Sequence, residues 1–217
     1  MPRSWYPSTT PQNLEKWKFP SCRTCNEDYG RIEERILNSV GLCLNHDHKA
    51  TKGIVEKALR SIDMDSAKGE KDKIARQSRK SSLYNNMVIF DRMPEIGVLP
   101  NFGGNSRGTY NYLTIPIYAD DLFAFGEKIA RGLKYILDEN KYLGHEYKVE
   151  TFICREEALD DFEKFLQNMG KEYNRGPGLK VIRVVATDDI DVSISKIVIW
   201  ESLMLYIFVD KNSVDEL

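Results

Sequence analysis

LKVIRVVATDDIDVSISKIVIWESLMLYIFV, residues 179–209, is the stretch that decides the fold of this chain. It contains three runs rich in β-branched and aromatic residues, at 179–187, 194–200 and 204–209, which read as strands. The breaks between them are too short for a helical crossover, so consecutive runs form an antiparallel meander. Upstream, 112–118 reads as a strand with Leu113, Ile115 and Ile117 on one face. Asp120 and Asp121 then open a helix whose apolar stripe is Leu122, Phe125, Ile129, Leu133, Ile136 and Leu137. A further strand is expected at 147–154. A helix is expected at 156–169, with Leu159, Phe162, Phe165 and Leu166 inward and Gly170 at its end. Residues 174–178 read as a turn. Helices sharing one face of a mainly antiparallel sheet is the economical packing, hence an α+β class.

The N-terminal half carries the ligand-type side chains. Residues 16–19 alternate basic and aromatic residues, Lys16, Trp17, Lys18 and Phe19, and read as a short strand. Cys22-Arg23-Thr24-Cys25 follows, a close cysteine pair of the kind that offers two thiolates to one tetrahedral zinc. A helix is expected over 23–40, with Ile32, Ile36, Leu37 and Val40 at helical spacing, Asn26 near its start and Gly41 as its stop. Downstream, Cys43, His46, Asp47 and His48 crowd into 42–50. With the first pair they give Cys22-x2-Cys25-x17-Cys43-x2-His46, a four-ligand zinc spacing. Cys43 reads equally as a small core residue and the histidines as exposed loop residues.

Order along the chain supplies a family resemblance. Asn13, an apolar strand-like run, Cys22-x2-Cys25, Asn26 and a helix resemble the second half of an HNH endonuclease motif, the bacterial ββα-metal finger. Asn13 looks like the middle Asn, which orients the catalytic His, and Asn26 like the last metal ligand. Cys22 and Cys25 look like half of the structural zinc site. Pro2 looks like the proline that follows the catalytic strand, which places the general-base His, the first metal ligand and the first cysteine pair before Met1. The resemblance therefore implies an upstream start or a shortened gene. It implies a structural zinc, a catalytic divalent metal such as magnesium in intact relatives, and DNA as partner through Lys16, Lys18 and Arg23.

Composition bounds the rest. The chain has 217 residues, a net charge of -2 and 29% charged residues, so it is not an electrostatic nucleic-acid binder as a whole. No apolar run approaches a membrane span, and four cysteines with one close pair suit a reducing cytoplasm. Lys68, Lys71, Lys73, Arg76, Arg79 and Lys80 make 66–82 either a phosphate-facing surface or a solvated helix. Residues 93–108, rich in Pro, Gly and Asn, mark a boundary. The expected division is 1–64 as a partial HNH finger with supporting helices, 65–110 as basic helix and linker, and 111–217 as an α+β unit with its own core. That last unit shows no nucleophile–base constellation: Asp188, Asp189 and Asp191 read as a solvated turn, His145 is isolated, and Cys154 reads as buried. Two functions are expected: an HNH-like protein of phosphodiester-hydrolase ancestry, crippled in this chain, or a non-catalytic zinc-binding interaction protein.

Overall fold

The computed structural model describes residues 3–11, 14, 17–90, 112–139, 141–144, 146–153 and 160–211. Asn13, Lys16, the 93–108 stretch, His145 and Cys154 lie outside the described residues. The helices are α1 (Arg23–Val40), α2 (Ile54–Ile62), α3 (Glu70–Asn86), α4 (Ala119–Leu137) and α5 (Asp160–Met169). A two-stranded antiparallel ribbon joins β1 (Val88–Phe90) to β2 (Tyr112–Thr114). The main sheet contains β3 (Tyr147–Phe152), β4 (Lys171–Asn174), β5 (Leu179–Val185), β6 (Ser193–Ile199) and β7 (Leu203–Lys211). Its order is β3-β7-β6-β5-β4 with every neighbour antiparallel, so the expected meander is present and the α+β class holds.

The helices do not share one face. Val181, Ile197, Ile199, Leu205, Ile207 and Val209 face α4, α1 and α2 in the main core. Their alternate neighbours Ile182, Val184, Ile194, Met204 and Tyr206 face the other way, onto Leu166 and Phe162 of α5. Period-two alternation with apolar residues in both phases demands cover on both faces. β4 is an edge strand within a segment read as helix end and turn. The strand read at 16–19 is not formed over its described part, since Trp17 to Pro20 join no ladder. Those residues are held by side chains instead. Phe19 lies where a Cβ on Gly132 of α4 would be, within 2.7 Å. Trp17 meets Tyr173 of β4 edge-on at 6.1 Å, and Arg175 sits 5.0 Å from its ring.

Gly41 ends α1, but not through a left-handed cap, for its φ is -59°. A side chain there would meet Ala58 of α2 at 3.0 Å, so close helix packing is what selects glycine. Trp5 enters the same core as the sheet. Its ring lies 4.9 Å from both Phe125 of α4 and Trp200 after β6, and its carbonyl accepts the Trp200 indole N–H at 2.5 Å. Trp5, Ile36, Val40 and Ile54 belong to one buried cluster with Leu122, Phe125 and the β5–β7 side chains. A division of the chain at 110/111 therefore cuts through shared packing.

Candidate functional site

Cys22 is the N-cap of α1, with extended backbone, and its sulfur accepts the Cys25 backbone N–H at 3.3 Å. A helix N-terminus leaves such donors without intrahelical partners, which is why a polar side chain caps it. The bond from the Cys25 thiol, then the backbone bond from Cys25, draws the Cys22 thiol below its ordinary range. Cys25 is pushed up because its proton is held on the Cys22 sulfur and a second negative sulfur would lie beside it. Both side chains are exposed, as is Asn26 one position on.

The support beneath this knuckle is firm. The C-terminal half of α1 buries Ile36, Leu37 and Val40. Glu33 of α1 accepts from Lys128 of α4 at 2.7 Å, with both side chains largely out of solvent. Arg35 forms a two-pronged pair with Asp121 at 2.7 and 2.5 Å. Residues 22–28 are all exposed, so the first two turns of α1 stand clear of the body.

The four-ligand spacing is not assembled. No group of three or more His, Cys, Asp or Glu side chains is placed to hold a metal ion among the described residues. Cys43 is half-buried in a 3-10 turn, and burial pushes its thiol up, as expected of a small core residue. His46 is exposed beside Asp47 at 3.2 Å. His48 caps the next 3-10 turn by accepting the Ala50 N–H, with its other nitrogen 3.6 Å from Glu201. The spacing failed because the turn after α1 carries Cys43 and His46 to the helix end opposite the Cys22 pair. The donor set at Cys22 and Cys25 fits half of a zinc site. Asn26 fits no catalytic divalent metal by itself, since a hard cation takes several oxygen ligands and no carboxylate or imidazole cluster joins it among the described residues.

Of the residues expected to meet nucleic acid, some are already paired within the chain. Arg23 is paired with Glu27 at 2.8 Å, while Lys18 is exposed. In α3, Arg76 donates to the carbonyls of Arg60 and Asp63, and Arg79 to that of Ser61, so two cations of the basic run cap the end of α2. A cavity of about 270 Å³ lies between α1, α3 and the segment before α4, lined by Arg35, Arg79, Ser82, Tyr118 and Asp121. Both guanidiniums there already hold carboxylates, Asp121 and Glu34.

In the acidic turn before β6, Asp188 is exposed as expected, but Asp189 and Asp191 are tied into ion pairs. Asp191 accepts from buried Lys134 and, at 2.7 Å, from the Tyr147 hydroxyl. Lys134 also pairs with Asp138 at 3.3 Å, and Asp138 takes both arms of buried Arg183 at 2.8 Å. Lys211 adds contacts to Asp189 at 3.0 Å and Asp191 at 3.6 Å. Three cations and three carboxylates thus close one network tying the end of α4 to β3, β5 and β7. It balances its charges internally and none of its residues lines that cavity, so its role is structural. Among the described residues no helix is long and apolar enough to cross a membrane. Compared with known proteins, the chain matches no family model, no curated protein and no solved structure.

Proposed function

We propose that this chain is a zinc-knuckle protein of HNH-endonuclease descent, which acts through metal-dependent association rather than through hydrolysis by these residues alone. The observation that carries the reading is the Cys22–Cys25 pair, two exposed thiols one turn apart at the head of a helix anchored on the core, with the Cys22 sulfur accepting the Cys25 backbone N–H at 3.3 Å. Two soft thiolates in this spacing select zinc over magnesium or calcium. Phosphodiester hydrolysis needs more: a base to activate water, and a metal to stabilise the charge developing on phosphate. The Asn26 amide does not titrate near neutral pH. His46 and His48 sit with Asp47 and Glu201, and neither joins Asn26 in a ligand cluster.

The hydrolytic reading keeps one favourable observation. Asn26 is exposed in the first turn of α1, one position after the knuckle, where an HNH finger carries its last ligand. The test is plasmid nicking with magnesium or manganese. The expected result is no cleavage above background, since absence of a general base alone costs about 10²–10⁴-fold. Cleavage that disappears in Asn26→Ala would place a working metal centre at the knuckle and overturn the non-hydrolytic half of the proposal.

A further inference from the structure

Two thiols one helical turn apart can also react with each other. We propose that Cys22 and Cys25 form a reversible dithiol–disulfide couple, in which Cys22 attacks a small disulfide such as oxidised glutathione and Cys25 resolves the adduct. Neither a metal nor a second chain is needed for this chemistry. A closed disulfide leaves no thiolate for a metal, so oxidation of the pair and its occupancy by zinc exclude each other.

Geometry brings the sulfurs into reach. The Cys22 sulfur accepts the Cys25 backbone N–H at 3.3 Å, which holds it over the first turn of α1. The Cys25 sulfur hangs from the same residue as that nitrogen, so side-chain rotation carries one sulfur to the other with little movement of the backbone. Access is open as well, since residues 22 to 28 are all exposed. A peptide-sized disulfide reaches the pair without displacing any part of the core.

The two sulfurs are unlike, which divides their roles. Donors on Cys25, its thiol first and then its backbone N–H, draw the Cys22 thiol down, whereas the Cys25 thiol is pushed up. The positive end of the α1 dipole favours the same thiolate, and the thiolate is the nucleophile. Cys22 is therefore the attacking sulfur and Cys25 the one that waits. Cys43 supplies the contrast: it is half-buried, and burial pushes its thiol up, so it is a poor nucleophile.

The electron balance closes. The Cys22 thiolate bonds to one glutathione sulfur as the glutathione S–S bond breaks, and the first glutathione leaves as a thiolate. Cys25 then gives up its proton and attacks the Cys22 sulfur, releasing the second glutathione. The pair loses two electrons, oxidised glutathione gains them, and the cysteine protons end on the two glutathione thiols.

The experiment incubates the full chain in mixtures of reduced and oxidised glutathione, with a chelator present so that zinc plays no part. Free thiols are then alkylated and the products mapped by mass spectrometry. The native chain is expected to gain a Cys22–Cys25 disulfide in excess oxidised glutathione and to lose it in excess reduced glutathione. Cys25→Ser is expected to stop at a glutathione adduct on Cys22. Cys22→Ser, whose hydroxyl keeps the helix cap, is expected to form its adduct on Cys25 far more slowly. Free thiols in the native chain after excess oxidised glutathione would overturn the proposal, as would an adduct on Cys22 that Cys25 does not displace. So would a Cys22→Ser variant that reacts as fast as Cys25→Ser. None of these outcomes bears on the zinc knuckle, which is tested by metal binding to the reduced chain.

Discussion

Trp200→Ala is expected to destabilise the fold by about 3–5 kcal/mol, enough to consume much of the stability of an ordinary domain. Trp200 is fully buried, and its ring packs at a tilt against Trp5, which in turn meets Phe125. Its indole N–H is satisfied by the Trp5 carbonyl, so truncation creates a cavity and also strips a buried acceptor of its partner. The backbone adds to this. Trp200 and Glu201 both hold positive φ, 54° and 52°, a conformation that bulky L residues adopt only when surrounding contacts force it. An alanine at 200 keeps that strain and loses the anchor. Urea denaturation of the variant measures the loss. The same contact predicts that a fragment of residues 111–217 does not fold cooperatively, since Trp5, Ile36 and Val40 cover its core. A cooperative transition in that fragment would show that the N-terminal half is dispensable to the sheet.

Asp138→Ala is expected to cost a similar amount, about 3–5 kcal/mol, because it leaves Arg183 buried without its carboxylate. Replacing both partners, as in Asp138→Leu with Arg183→Met, is expected to recover most of the loss. The pair's value lies in not being broken, and an apolar substitute of similar size is tolerated. The pH dependence has a definite sign. Hydrogen bonds from Lys134 and then Tyr147 hold Asp191 down to about 2. Burial favours the neutral form of Asp138, but the Arg183 bonds and charge, joined by Lys134, outweigh it and lower its titration as well. Groups depressed in the folded state stabilise it above their unfolded range, near 4, and that stability is lost as pH falls toward 2. Tyr147 runs the other way. Its bond to Asp191 raises it to about 12, a contribution present below about 10 and lost as pH rises through 12. Denaturation midpoints at pH 5 and pH 2.5 are therefore expected to differ, and less so in the doubly apolar variant.

What could be read from sequence alone follows the range of the interactions involved. α1 was legible at both ends because a helical stripe and a closing glycine act within a few positions, although Gly41 serves close helix packing and Cys22 was not read as the N-cap. The strands 179–185, 193–199 and 203–211 were legible from β-branched runs and short breaks. β4 was not, because Lys171–Asn174 has one large apolar residue, Tyr173, and owes its strand form to pairing with β5. The placement of α5 was within reach. Val181 beside Ile182 and Leu205 beside Tyr206 already signal a sheet buried on both faces. Trp5 and Trp200 are 195 positions apart, and Asp138 and Arg183 are 45 apart, so neither partnership leaves a local trace. The nearness of Cys22 and Cys25 was legible because two intervening residues at a helix start cannot carry them apart. The longer spacing to Cys43 and His46 was not, because a helix of 18 residues intervenes and sets its ends far apart.

The most direct measurement of the knuckle is a cobalt(II) titration of the reduced chain, read as thiolate-to-metal charge transfer in the near ultraviolet. The account predicts a thiolate band in the native chain, its loss in Cys22→Ser, and its retention at full intensity in both Cys43→Ser and His46→Ala. Loss of the band in Cys43→Ser or His46→Ala would mean that these residues complete the site within one chain and would contradict the account.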